Sequence, residues 1–152
     1  MKTKIIKDYL DQILPDAHCE LNYQKDYELL IATMLSAQTT DVRVNQVTSS
    51  LFLKYKSIEE FSKANVEDLK EIIRPVGTFN KKAQNIIDIA NALLPFNKVP
   101  NDRDFLESLS GVGRKTTNVV LNNIYKVPLI AVDTHVERVS KRLGLAFKND
   151  DV

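Results

Sequence analysis

One cysteine, Cys19, stands among 152 residues. A lone thiol forms no intramolecular disulfide and by itself no thiolate metal site, so a reducing, cytoplasmic setting is expected, with no metal ligated by this chain. Charge of one sign is also missing: 21 Lys and Arg face 20 Asp and Glu, a formal net charge of +1. Such a balance provides no overall field for a polyanion, and any nucleic-acid contact must come from a local cluster. Long apolar runs are absent too. The opening "MKTKIIKDYLDQILPD" is broken by Lys7, Asp8 and Asp11, unlike a signal peptide, and nothing later approaches membrane-spanning length, so no membrane partner is expected. There is no low-complexity linker and no internal repeat. Glycine is scarce, 4 in all, yet two of them, Gly111 and Gly113, fall within three positions.

What is present is a chain built to fold. It is 43% hydrophobic and 27% charged, ordinary for a globular protein, and long enough for one domain or one and a fraction. Helical spacing dominates. Ile6, Leu10, Ile13 and Leu14 mark an amphipathic helix stopping near Pro15. "DYELLIATMLSA" is apolar almost all round, as a central helix would be. Val42, Val44, Val47, Leu51 and Leu53 carry the next. Ser57 with Glu60, and Asn65 with Asp68, read as helix starts, and Gly77 as a helix end. Ala83, Ile86, Ile87, Ala90 and Leu93 line the buried side of a long helix. The run "VPLIAV", residues 127–132, is the one strand-like stretch. Thr134 with Glu137 has capping-box spacing, opening a last helix that ends at Gly144. The fold class expected is all-α.

The stretch "LSGVGRKTTNVV" concentrates the chemistry. A glycine closing a helix permits positive φ, and a second lets the backbone turn again and approach another molecule. Two helices joined by "SGVG" make a tight hairpin whose Val112, Gly113 and Arg114 amides, with the positive end of the next helix, would cradle a phosphate. Arg114 and Lys115 add charge beside it. The alternative is an ordinary helical corner with two solvated cations. A Walker-type loop fails on spacing, since Arg114 separates Gly113 from Lys115 and no strand precedes the loop. Lys115 sits in the field of a helix start and beside Arg114; both disfavour its ammonium form and favour an amine nucleophile.

Three segments, "LLIATMLSAQTTDVRVNQV", "LSGVGRKTTNVVLNNIY" and "IAVDTHVERVSKRLGL", together resemble the endonuclease III family of the helix-hairpin-helix DNA glycosylase superfamily. The likeness runs in order along nearly the whole chain. It implies a helical barrel domain at residues 20–130 carrying the hairpin, and a partial second helical domain from residues 1–19 and 131–152. It implies a monomer that acts on double-stranded DNA with a damaged base or abasic site, as a bifunctional glycosylase and β-elimination lyase on oxidised pyrimidines. By this resemblance Lys115 is the nucleophile and Asp133, in "VDTH", its electrostatic partner. Gln38 of "LSAQTTD" fills the gap left by the extruded nucleotide. Asp41 and His135 are possible supports, set against the plainer readings of a helix cap and a structural histidine.

Two departures accompany the likeness. The family's apolar wedge in "VGLY" is replaced here by "VGTF", placing Thr78 in that position beside Phe79. The family chain also continues past "RLGL" into further helices and a four-cysteine 4Fe–4S site, so this chain reads as a C-terminally shortened copy, the cluster being expected only in a full-length form. The apolar face of the first helix would then lack its partner. The competing function is a non-catalytic DNA-binding fragment that grips the backbone with the hairpin and with Arg138, Lys141 and Arg142.

Overall fold

The computed structural model describes residues 1–150, which form helices α1 (Lys2–Ile13), α2 (Asp26–Leu35), α3 (Asp41–Lys54), α4 (Ile58–Ser62), α5 (Val66–Ile73), α6 (Phe79–Leu93), α7 (Arg103–Ser108), α8 (Arg114–Tyr125) and α9 (Thr134–Leu143). No strand occurs among the described residues, and no helix there is long and apolar enough to cross a membrane. The chain divides into two compact units, Glu20–Ala131 and Met1–Cys19 with Val132–Val152. Asp151 and Val152, the end of the second portion expected from the sequence, lie outside the described residues.

The larger unit is organised by its most apolar segment. Every residue of α2 from Tyr27 to Leu35 is buried, because helices close over it on several sides. It packs against α3, α6 and α8, while α6 also packs on α4 and α5. Phe61 of α4, fully buried, is ringed by Tyr27, Phe52 and Tyr55 at centroid distances of 6.2, 6.3 and 5.1 Å. The expected starts hold: the Ser57 hydroxyl accepts from the Glu60 amide at the head of α4, and Asn65 accepts from Glu67 and Asp68 at the head of α5.

Several local expectations give way to tertiary context. On α3, Val42 and Leu53 are exposed and Thr48 takes an inward place with Val44, Val47 and Leu51. On α6, Ile89 is fully buried where Ile87 is only half so. Gly77 does not end α5, which stops before Arg74 and Pro75; the left-handed residue is its neighbour Thr78, at φ 55°. Residues 127–132 are not a strand, since among the described residues no second segment pairs with them. Their carbonyls are met by α8 instead: Asn122 Nδ2 donates to Val127 O at 3.0 Å and Asn118 Nδ2 to Ile130 O at 2.9 Å.

Thr117 of α8 is fully buried, and its hydroxyl has no hydrogen-bond partner among the described residues. Leaving a hydroxyl unsatisfied in an apolar interior costs about 1–3 kcal/mol. Thr117→Val is therefore expected to stabilise the chain by about 1 kcal/mol, raising the melting midpoint by roughly 2–4 °C. A lower midpoint in calorimetry would show that the hydroxyl is satisfied after all.

In the smaller unit neither α1 nor α9 has a fully buried residue. Ile5, Tyr9, Leu10, Ile13 and Leu14 of the first segment are exposed. Gly144 closes α9 at φ 66°, and a Cβ added there would meet Lys2 Nζ at 2.7 Å, so a cation stands at that helix end, where the backbone dipole favours it.

Candidate active site and nucleic-acid interface

The hairpin occupies the junction of α7 and α8. Its two glycines divide the work. Gly111 has φ +75°, and a Cβ on it would lie 2.4 Å from Asn85 Nδ2 and 3.4 Å from Met34 Cγ. The first glycine thus turns the chain and lets it press onto α6 and α2. Gly113 has φ −108°, open to any residue, and nothing lies within 4 Å of where its Cβ would be. No side-chain hydrogen bond caps α8 at Gly113, and Arg114 and Lys115 are exposed at that helix start, where the backbone favours an anion.

Val112 departs from expectation. Its amide donates to Leu109 O at 3.1 Å, closing the turn, and its side chain is buried. It anchors the hairpin instead of offering a donor. Arg103 braces the same corner, with Nη2 donating to Asn118 Oδ1 at 2.9 Å and Nη1 paired to Glu107 at 2.9 Å. Asn118 therefore links α7, α8 and the return segment.

Gln38 and Thr78 are brought together. They line one cleft with Thr39, Arg43, Arg74 and Phe79. Both are exposed, and both hold left-handed backbone, φ 58° and 55°. For a β-branched residue such as Thr78 that conformation is strained, and strain of this kind persists only where surroundings impose it. Thr78 is at the head of α6, and its hydroxyl donates to Gly77 O at 2.7 Å. Phe79 is half-buried. Gly77 N donates to Thr39 Oγ1 at 3.3 Å, which ties the two loops. Asp41 follows as the first residue of α3, whose cap is Thr40, so the plainer reading of Asp41 as the cap does not hold.

A lysine that sequence reasoning passed over joins this region. Lys82 is buried, and its Nζ donates to Leu35 O at 2.9 Å and Ala37 O at 2.6 Å. Burial holds its ammonium below the ordinary lysine range. The signal was available, since Lys82 is in phase with Ile86, Ile89 and Leu93 on the apolar stripe.

In the smaller unit Asp133, not Thr134, caps α9: its Oδ1 accepts from His135 N at 3.0 Å and Val136 N at 2.8 Å. A carboxylate accepts two amides where the Thr134 hydroxyl would need the helix to start one residue later. His135 supports Asp133 through its backbone, while its ring Nδ1 lies 3.0 Å from Arg138. Lys141 pairs with Glu137 at 2.6 Å, and Arg142 is exposed.

An iron–sulfur cluster does not fit the donors present. Cys19 is the single cysteine, and no group of three or more His, Cys, Asp or Glu side chains is placed to hold a metal among the described residues.

Comparison with known proteins adds three findings. The profile of the HhH-GPD superfamily base excision DNA repair proteins matches residues 31–151. Endonuclease III of Bacillus subtilis (strain 168) is 46% identical over 147 residues, covering 95% of this chain and 67% of that protein. Two solved structures share 47% identity and cover 99% of this chain: a non-covalent endonuclease III–DNA complex (TM-score 0.91, 72% of that chain) and a trapped endonuclease III–DNA covalent intermediate (TM-score 0.90, 73% of that chain). The chain spans about two thirds of the length of the curated relatives it matches.

Proposed function

Since this chain belongs to the HhH-GPD superfamily of base excision DNA repair proteins, and within it to the endonuclease III family, we propose that it removes oxidised pyrimidines from duplex DNA and cleaves the resulting abasic site, with Lys115 as nucleophile. The observation that carries this reading is the division of labour in the hairpin. Gly113 leaves open space at a helix start that no side chain caps, and the lysine two residues on is exposed there. A phosphate held there would bring the sugar of an extruded nucleotide within reach of an amine.

The chemistry then balances without a cofactor. The Lys115 amine bonds to C1′, the N-glycosidic bond breaks with its electron pair leaving on the base, and the base takes up a proton. Ring opening gives a Schiff base. Loss of the C2′ proton expels the 3′ phosphate by β-elimination, and water releases the amine. Positive charge on the sugar in the first step is what a carboxylate stabilises, the role proposed for Asp133. Gln38 and Thr78, on facing loops of one cleft, are proposed to enter the space that the nucleotide leaves.

The test is borohydride trapping on a duplex with one abasic site. The chain is expected to form a covalent adduct that survives denaturation. Binding of the same duplex without an adduct would instead make the chain a non-catalytic backbone clasp.

Asp133 has two roles to separate, cap and charge. Asp133→Asn keeps a good capping acceptor, so α9 should lose less than about 1 kcal/mol. Removal of the charge is expected to slow base excision by on the order of 10²-fold. Unchanged excision kinetics would leave Asp133 as a helix cap alone.

A further inference from the structure

We propose that Lys82 is a positioning residue for lesion recognition: its buried amine clamps the carbonyl preceding Gln38 and so sets the left-handed turn from which Gln38 enters damaged DNA. This rests on the repair reading above, and concerns how that reading's cleft is held in shape.

The geometry is specific. Leu35 is the last residue of α2, and Ala37 lies two residues beyond. Carbonyls at a helix end lack intrahelical partners, and the backbone dipole favours a cation there. Lys82, reaching from α6, meets both at 2.9 and 2.6 Å. The Ala37 carbonyl belongs to the same peptide plane as the Gln38 nitrogen, so a bond that fixes this plane constrains the φ of 58° at Gln38. The far side of Gln38 is held as well. Thr39 N donates to Ser36 O at 3.0 Å, and Thr39 Oγ1 accepts from Gly77 N at 3.3 Å. The exposed glutamine is thereby gripped between two fixed neighbours.

An amine is an expensive way to fill this space. Lys82 is 4% exposed, and an apolar side chain would occupy the same volume without desolvating a charge. What an apolar residue cannot do is hold two carbonyls at the mouth of the cleft. Lys82 is also one helical turn from Asn85, the residue against which Gly111 packs. The helix that clamps the Gln38 loop is therefore the helix on which the hairpin rests.

A double-mutant cycle tests the proposal. Lys82→Met is made alone and in a Gln38→Ala background, and excision of an oxidised pyrimidine from duplex DNA is followed at a temperature where circular dichroism shows every variant folded. Each single substitution is expected to lower excision about 10- to 100-fold, the range in which small misplacements act. In the Gln38→Ala background Lys82→Met should cost no more than about twofold further, because its effect passes through Gln38. Losses that multiply, or full activity in Lys82→Met, overturn the proposal.

Thr39→Val, at a half-buried position, releases the other side of the same loop and replaces Lys82→Met in the cycle should that variant not fold. If the unmodified chain neither excises nor traps, the functional reading has failed on its own account. The cycle is then read as the preference for an abasic-site duplex over an undamaged one. Loss of that preference in Lys82→Met, with none further in the double variant, supports the clamp; an unchanged preference overturns it.

Discussion

Lys115→Ala is expected to abolish the borohydride-trapped adduct and to slow strand cleavage at an abasic site by on the order of 10³-fold or more. The size follows from covalency: without the amine there is no Schiff base, and the C2′ proton is no longer acidified. The fold should be indifferent. Lys115 is exposed in the first turn of α8, where a surface contact is worth at most about 1 kcal/mol and alanine is the better helix former, so stability should change by no more than about 1 kcal/mol. Duplex affinity should fall less than about tenfold, because Arg114 and the positive end of α8 remain. The comparison requires gel trapping, cleavage kinetics and binding on one preparation. An adduct that persists in Lys115→Ala would move the nucleophile elsewhere in the chain.

Alanine at the two hairpin glycines should produce opposite outcomes. At Gly111 it must adopt left-handed backbone, costing about 1–2 kcal/mol, and its Cβ would come within 2.4 Å of the buried Asn85 amide. The expected total is about 2–4 kcal/mol of stability, a fall in melting midpoint of roughly 5–15 °C. At Gly113 the backbone is already extended and the Cβ meets nothing. Reduced freedom in the unfolded chain favours Gly113→Ala, and the poorer helix start opposes it, so stability should stay within about 0.5 kcal/mol.

DNA binding should nonetheless weaken in Gly113→Ala. A methyl group in the open space at this helix start would displace a phosphate bound there, losing charge-assisted bonds of about 1.5–3 kcal/mol, or roughly 10- to 100-fold in affinity. Melting curves and salt-controlled titrations on both variants separate the two roles. Undiminished affinity in Gly113→Ala would remove the phosphate cradle from the hairpin.

The hairpin is legible in the sequence because its determinants are local: a pair of glycines, and helix formers on both sides. The same holds for the buried α2 and for the caps at Ser57 and Asn65. Gly77 reads as a helix end because a glycine signals a turn without saying which residue carries the positive φ; the strain falls on Thr78. Residues 127–132 have strand-like composition, yet a strand needs a partner, and their carbonyls found asparagines of α8 instead. Asp133 displaced Thr134 as cap by one position, a margin that spacing alone does not resolve.

Residue order along the chain was sufficient for the helices, the bend and the basic pair that follows it, because hydrophobic period, capping and glycine's freedom act over a few neighbours. Contact between segments decided the rest: that Gln38 and Thr78 share a cleft, that Val112 spends its amide inside the turn, and that Lys82 goes inward to hold another helix's carbonyls. Those outcomes depend on which polar groups remain unsatisfied once distant elements have packed, and that cannot be known one helix at a time.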